Sequence, residues 1–306
     1  MSDTQTVLLA GATGMLGGRI AHHLLANGDA GLRLLVRPGA AADPRKRQAL
    51  DPLAAAGATI TEADLTDAGS LARACAGIDV VVSAVQGGRG VVVDGQAALA
   101  RAAAAARARR MLPSDFALDL FAVPAGEVAS YDVRREADEL IAQTGLETVH
   151  VLNGAFLDMF VEPRGALELD DRAGTATFWG TGEEQFEATT VDDTAAYAAL
   201  AALDRDLPPG KLAVAGDRPS ALSMLAAQER ATGRTYRRVS RGSVEQLQEQ
   251  AAQARSRDPW SMEAVVGGYL VCMLTGQAAL TDLQNARYPQ VRPRTYDELL
   301  GLPGAA

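Results

Sequence analysis

The clearest chemical signal in the sequence is a glycine turn near its start. Gly11, Gly14 and Gly17 follow the apolar run 6–10 and precede the segment 15–24, where apolar residues recur at helical spacing. Between a buried strand and a helix, Gly11 permits a tight turn, Gly14 lets the backbone approach a pyrophosphate, and Gly17 allows close helix packing. The turn therefore predicts a dinucleotide site. The other predicted contact residues of this loop are Thr13, Met15 and Leu16.

The second predicted strand spans residues 32–36, and the residues that follow it indicate whether the cofactor is NADP or NAD. NAD-binding proteins place a carboxylate there to bind the ribose 2′-hydroxyl. This chain has Arg37 instead, and the basic run 45–47 follows it. A guanidinium with a nearby ammonium suits a 2′-phosphate. The pattern predicts NADP(H), held by Arg37 and Lys46, although the basic run alone also suits the solvated first turn of a helix.

Strand and helix patterns alternate through the first half of the chain. Such alternation predicts an α/β protein with a doubly wound parallel sheet of the Rossmann type. We expect a nucleotide-binding domain from 1–153 plus about 188–216. A smaller, partly interleaved substrate domain is expected from about 154–187 and 217–306. The predicted strands are 6–10, 32–36, 58–61, 79–85, 110–112 and 147–152, with 212–215 returning to the sheet edge.

Two helix predictions in this half depend on single residues. We expect the helix 44–56 to be kinked or split at Pro52, because proline lacks an amide hydrogen. Asp94 is expected to cap a long, alanine-rich helix that runs to Arg107.

Composition and charge exclude several classes of protein. The chain has 306 residues, 48% of them hydrophobic, which is enough for a full core without disulfides or metals. Its 29 basic and 38 acidic residues give a net charge of −9, which disfavours nucleic-acid and anionic-membrane partners. Cys75 and Cys272 have no metal or disulfide spacing, and no metal site is predicted. With no signal peptide or membrane span in the pattern, we expect a cytoplasmic protein. The sequence does not decide the oligomeric state, and a homodimer is one possibility.

A second motif, Pro113-Ser-Asp-Phe116, follows the fifth predicted strand. Together with the glycine turn it resembles the NmrA-like, isoflavone-reductase-like branch of the atypical short-chain dehydrogenases. The resemblance covers nearly the whole chain. It implies a Rossmann domain, NADPH, and hydride transfer to a small aromatic or conjugated substrate. It further implies that Asp64 and Leu65 lie by the adenine, and Ser83, Ala84 and Gln86 by the ribose and nicotinamide. Supporting segments are 35–37, 43–46, 63–65, 77–83, 191–197 and 288–299.

The chain departs from this family pattern at the position that carries proton chemistry. Reductases of the family have a lysine early in the helix after the second motif, and Arg134 stands there, or Arg135 if the register slips. Arginine can anchor a ribose but cannot exchange protons near neutral pH. Ser114 and Tyr131 are therefore the candidate proton donors, with Arg134 beside the cofactor. Alternatively, Tyr131 covers the helix start, and the two arginines pair with Asp138 and Glu139 one turn further on.

The remaining conspicuous side chains are interpreted as structural. His150 lies within a predicted strand and is expected to be an interior histidine. Phe156, Phe160, Phe178 and Trp179 are expected in the core or in the wall of a substrate cleft.

The predicted nucleotide site and the family resemblance are compatible with two functions. The favoured one is an NADPH-dependent reductase, and the alternative is an NADP(H)-sensing regulator that acts through a protein partner.

Overall fold

A computed structural model describes residues 4–28, 30–162 and 165–303. The chain forms two compact units. The first contains 1–115, 133–151 and 194–212, and the second contains 116–132, 152–193 and 213–306. Segment 116–132, which the sequence analysis placed in the nucleotide-binding domain, groups with the second unit because Leu118, Leu120 and Val128 are buried in that unit's core.

Helices and strands alternate through the first half of the chain. Up to residue 152 they are β1 (Gln5–Ala10), α1 (Met15–Asn27), β2 (Ala30–Val36), α2 (Pro44–Ala55), β3 (Thr59–Glu62), α3 (Ala68–Cys75), β4 (Val80–Ser83), a π-helical segment (Gly90–Gly95), α4 (Gln96–Ala105), β5 (Arg110–Leu112), α5 (Ala129–Ala142) and β6 (Glu147–Leu152).

The second half has shorter strands and more helix. Its elements are β7 (Ala155–Phe156), a 3₁₀ turn (Leu157–Phe160), β8 (Glu168–Asp170), β9 (Thr175–Phe178), β10 (Ala188–Thr189), α6 (Val191–Leu203), β11 (Gly210–Ala213), α7 (Ala221–Thr232), β12 (Arg237–Ser240), α8 (Val244–Arg257), α9 (Met262–Thr275), a 3₁₀ turn (Asn285–Arg287) and α10 (Tyr296–Leu299).

A seven-stranded sheet organises the first unit. Its strand order is β3-β2-β1-β4-β5-β6-β11, and β1 to β6 pair in parallel. The strand order reverses between β1 and β4, and ligands of open parallel sheets bind at such a switch point, outside the carboxyl ends of the strands. The predicted doubly wound parallel sheet is confirmed. The predicted return of the chain to the sheet edge near 212–215 is also observed, as β11.

Burial explains why the central strands contain apolar runs rather than alternating residues. Val7, Leu8 and Leu9 of β1 are fully buried, as are the valines of β4. Helices cover both faces of such a sheet, so every position along its strands is shielded from water. Helix α1 ends at Gly28, whose left-handed conformation (φ 71°) closes the last turn.

The two helix predictions that depend on single residues have different outcomes. Helix α2 is one continuous element across Pro52, so it is not split there. The second prediction was wrong. Asp94 does not cap the alanine-rich helix, because helical structure already begins at Gly90 in a π-helical segment that leads directly into α4. Asp94 therefore lies inside a helical turn, where a capping side chain has no role.

The second unit has its own hydrophobic core and two small sheets. Strands β7 and β10 pair in parallel, and β9 pairs with β12 in parallel and with β8 in antiparallel orientation. Its largest apolar cluster combines residues of the 3₁₀ turn, β9, α7 and α9, including Phe160, Phe178, Met224 and Met273. Within the described residues, no helix is long and apolar enough to cross a membrane.

Candidate nucleotide site and catalytic residues

The loops that follow β1, β2, β3 and β4 share the carboxyl edge of the sheet. These strands are adjacent and parallel, so their carboxyl ends lie along one edge. Apart from Arg134, which lies in α5, the predicted cofactor residues lie in these loops or next to them. Exposed among them are Gly14, Met15, Arg37, Asp64 and Gln86, while Gly11, Thr13, Leu16, Lys46, Leu65 and Ala84 are half-buried.

The glycine turn is held by its own backbone. The Gly14 amide donates to the Gly11 carbonyl at 2.9 Å. Gly11 has φ +95°, and a Cβ there would lie 2.3 Å from the Ala84 carbonyl oxygen. A Cβ at Gly17 would lie 2.2 Å from the Gly11 carbonyl oxygen. The fold itself thus requires glycine at both positions.

Gly14 differs from its neighbours in the turn. Its φ of −91° suits any residue, and an added Cβ would meet one atom within 4 Å, the Gly11 carbonyl oxygen at 3.3 Å. Gly14 is exposed at the N-cap of α1. Protein packing therefore does not require glycine at this position. A ligand that lies close to the backbone at the helix N-terminus would require it.

Two cations lie beyond the end of β2. Arg37 directly follows the strand and Lys46 lies in the first turn of α2. Within the described residues neither has an ion-pair partner, whereas Arg47 pairs with Asp51 at 3.2 Å. Arg37 and Lys46 can therefore meet an anionic ligand without first breaking an internal ion pair.

The loop that contains Arg37 is anchored by Glu62 at the end of β3. The Glu62 carboxylate accepts hydrogen bonds from the amides of Gly39 and Ala41, at 3.1 and 3.3 Å. The sequence analysis did not predict this contact. A carboxylate at the end of a strand next to β2, at the same sheet edge, is the sequence feature that could have indicated it.

The turn after β3 is also well ordered. The Asp64 carboxylate accepts from the amide and the hydroxyl of Thr66, both at 2.8 Å. These bonds, the amide first, lower the pKa of Asp64. The Asp64 amide donates to the Ser70 hydroxyl at 3.1 Å. At the end of β4, Ser83 is fully buried, so a ligand at this edge would contact the backbone or side chains that follow it.

Each polar group of Ser114 has a partner inside the first unit. Its amide donates to Gln96 Oε1 at 2.9 Å, its hydroxyl donates to the Val85 carbonyl at 2.8 Å, and its carbonyl accepts from Arg134 Nε at 3.1 Å. The structure thus brings together Ser114, Arg134 and the segment after β4. Gln96, buried in α4, is a positioning residue that the sequence analysis missed.

Tyr131 lies in the second unit. It is 2% exposed, and its ring packs edge-on against Tyr269 with 6.4 Å between ring centres. Phe160, Phe178 and Trp179 are likewise buried in this unit's core, while Phe156 is half-buried. Of the four aromatic residues predicted for the core or a cleft wall, these three are core residues.

A buried ionisable cluster lies next to Ser114. Asp115 Oδ2 is 2.8 Å from His150 Nδ1, and Asp138 Oδ2 is 3.7 Å from the same nitrogen. Burial, followed by the charge of Asp115, raises the pKa of Asp138 to about 10. The sequence does not predict this cluster. His150 and Asp138 are separate in the chain, and they meet Asp115 only because the fold brings the end of β5, α5 and β6 together.

Comparison with known proteins identifies the family. The model of the NmrA-like family matches residues 3–256. The chain belongs to the NmrA-like family. An isoflavone reductase homolog from Zea mays is 27% identical over 98% of both chains. Pinoresinol reductase 1 from Arabidopsis thaliana is 30% identical over 65% of this chain and 64% of its own. Several curated relatives, such as phenylcoumaran benzylic ether reductase IRL1 of Ginkgo biloba, match over about half their length.

Solved structures show the same fold. An isoflavone reductase has a TM-score of 0.82 with 21% identity, covering 97% of this chain and 98% of its own. The leucoanthocyanidin reductase of Vitis vinifera, in complex with NADPH, has a TM-score of 0.81, also with 21% identity and the same coverage. AtPrR2 with NADP⁺ and (+)-pinoresinol has a TM-score of 0.81 at 23% identity, covering 98% of this chain and 99% of its own.

Proposed function

We propose that this NmrA-like protein is an NADPH-dependent reductase of a small aromatic or conjugated molecule. The observation that carries the proposal is the carboxyl edge of the sheet. There, Gly14 is an exposed glycine that packing does not require, and it lies on the same edge as Arg37 and Lys46, which have no ion-pair partner among the described residues. Relatives of this chain are named as reductases of isoflavone type and of pinoresinol.

The residues at this edge fit NADP(H). The glycine turn and the N-terminus of α1 would hold the pyrophosphate, because amides at a helix N-terminus attract anions. Arg37 and Lys46 would hold the 2′-phosphate, since a guanidinium binds phosphate in a two-pronged geometry. Asp64 and Leu65 would flank the adenine. Ala84 and Gln86 would line the ribose and nicotinamide, as the family resemblance implies, whereas Ser83, which the resemblance also implies, is fully buried at the end of β4.

The bound nicotinamide would supply the hydride, and the chain must supply orientation and a proton. Arg134 would anchor the nicotinamide ribose with a fixed charge, because a guanidinium does not release its proton at neutral pH. Ser114 is the candidate donor in the first unit. Its hydroxyl must leave the Val85 carbonyl before it can donate to a substrate. Tyr131 is the second candidate.

Paired nucleotide titrations test the cofactor assignment. We expect the wild type to bind NADPH at least about tenfold more tightly than NADH, a difference of about 1.4 kcal/mol. Arg37→Ala should lose this preference, because it removes the cation after β2. Arg47→Ala is the matched control and should keep the preference, because Arg47 already pairs with Asp51. Equal wild-type affinities for the two nucleotides would contradict the assignment.

A second function is favoured by one observation. Arg134 stands where reductases of the family carry a lysine, and arginine cannot exchange protons near neutral pH. A protein with this change could bind NADP(H) without turnover and act as a sensor through a protein partner. The sensor also requires the nucleotide site, so turnover is what separates the two functions.

We further propose that the protein works in the reducing cytoplasm. Cys75 and Cys272 are both free and buried. Burial raises their pKa values, to about 11 and about 12. Such thiols are unreactive and need no oxidising compartment.

A further inference from the structure

The cluster of Asp115, Asp138 and His150 connects three elements inside the first unit. Asp115 lies just beyond β5, Asp138 in α5 and His150 in β6. The side chains of Asp115 and Asp138 are 0% and 9% exposed. One ligand-type atom from each of the three residues lies within 4.8 Å of the other two.

Hydrogen bonding in the cluster is incomplete if both aspartates are ionised. Asp115 Oδ1 and both carboxyl oxygens of Asp138 are buried, and none of them has a hydrogen-bond partner in the part of the chain that the structure describes. An ionised carboxylate can only accept, so two facing carboxylates cannot satisfy each other. A single proton converts one of them into a donor. Two like charges this close in a water-poor interior also disfavour double ionisation.

The contacts of Asp115 favour the proton on Asp138. In the tautomer with a hydrogen on Nδ1, His150 donates to Asp115 Oδ2 at 2.8 Å, so this carboxylate is already an acceptor. Its Oδ1 is the acceptor that remains. The groups that act on Asp138 are the charges of Asp115 and Glu139, which favour its neutral form, and that of Arg134, which opposes it. Burial is the largest effect, and it raises the pKa of Asp138 to about 10.

The observed distance favours a proton over a metal ion. Ligands of a tetrahedral zinc at about 2.0–2.1 Å from the metal would lie roughly 3.3 Å apart. The 2.8 Å separation of His150 and Asp115 is instead an ordinary hydrogen-bond length.

Arg134 connects the cluster to the candidate site. It lies one helical turn before Asp138 in α5 and donates to the carbonyl of Ser114, the residue before Asp115. An ionised Asp138 would attract the guanidinium along the helix, because residues four apart on a helix are neighbours. A neutral Asp138 does not attract the guanidinium in this way, so the contact of Arg134 with the Ser114 carbonyl is kept.

We propose that Asp138 is held as a neutral acid that donates to Asp115, and that this bond positions Arg134 for the ribose of NADP(H). Asp138 is a positioning residue, since it acts through Arg134. The role toward NADP(H) rests on the proposed function, whereas the neutral acid does not. Because the unfolded chain ionises this group near its ordinary value, the protein loses stability from this group as pH rises from about 4 toward about 10.

The first test needs no nucleotide. Infrared spectra of the wild type at pH 7 should show the carbonyl stretch of a buried protonated acid, and Asp138→Asn should lack it. The Tm advantage of Asp138→Asn over the wild type should grow from pH 6 to pH 9. Glu249→Gln is the control; Glu249 is exposed in α8 and should show neither change. Absence of the carbonyl band, or a wild-type Tm that rises with Zn²⁺ and does so less in Asp138→Asn, would overturn the neutral acid.

The second test measures NADPH affinity. Asp138→Asn keeps a donor to Asp115 and should bind NADPH within about twofold of the wild type. Asp138→Ala removes the donor and should bind at least about fivefold more weakly. Equal loss in both variants, or no loss in either, would overturn the positioning role. If the wild type itself binds no NADPH, the proposed function fails while the infrared result still decides the state of Asp138.

Discussion

At the scale of single residues, the glycine turn divides into positions that the fold requires and one that it does not. Added Cβ atoms at Gly11 and Gly17 would collide with backbone, whereas one at Gly14 would meet a single oxygen at 3.3 Å. The same motif thus combines two glycines that packing requires with one, Gly14, that packing does not require. Substitution can test this difference, because a side chain at Gly14 should weaken nucleotide binding, whereas one at Gly17 should destabilise the fold.

We expect Gly14→Val to keep a native circular dichroism spectrum and to weaken NADPH binding by more than about tenfold, or about 1.4 kcal/mol. The valine side chain would block approach to the pyrophosphate while its backbone stays relaxed at φ −91°. Gly17→Val is the control and should lower the stability of the fold itself. Native NADPH affinity in Gly14→Val would show that the phosphates lie elsewhere.

At the scale of elements, Arg110 of β5 shows how one buried cation holds several segments of the first unit. Its side chain is 1% exposed. It donates to the carbonyls of Ala201 and Asp204 near the end of α6, at 3.3 and 2.7 Å, and to that of Leu207. It also pairs with Glu147 at the start of β6, at 2.9 Å. These bonds use the carbonyls that a helix end leaves unsatisfied.

We expect Arg110→Met to lower the free energy of unfolding by about 3 kcal/mol, because it leaves buried carbonyls without a donor. Urea denaturation measures this loss. Arg109→Met removes a guanidinium from the same Glu147 and is the matched control. Since Arg109 is partly exposed, its loss should cost less than about 1 kcal/mol. Equal costs in the two variants would show that the buried carbonyl contacts of Arg110 contribute little.

Sequence reasoning was most successful for elements whose pattern is local. The strand predicted at 147–152 is observed at those residues, because Val149 and Val151 stand at the alternating positions typical of a strand. The π-helical segment at Gly90–Gly95 was not predictable, since glycine and valine are weak helix formers and residue type does not report the hydrogen-bond spacing. The cluster around Asp138 was not predictable either, because its residues are separated in sequence and meet only through the sheet.

At the scale of the whole molecule, the chain combines a parallel seven-stranded sheet with a second unit that has its own core. The net charge of −9 disfavours a phosphate-rich macromolecule as a partner. The cations Arg37 and Lys46 nevertheless lie in or just after the loop that follows β2, where a small phosphate can bind. A protein of the NmrA-like family with these features is suited to a soluble dinucleotide and a small organic substrate.

An anaerobic assay can show whether the protein transfers hydride from NADPH to an organic acceptor. NADPH-loaded protein would be mixed with a panel of aromatic ketones, enones and quinones while the absorbance of the reduced nicotinamide is followed. We predict absorbance loss with at least one acceptor, deuterium in the product when deuterated NADPH is used, and neither result with Gly14→Val. Tight NADPH binding without absorbance loss for any acceptor would contradict the reductase and leave the sensor.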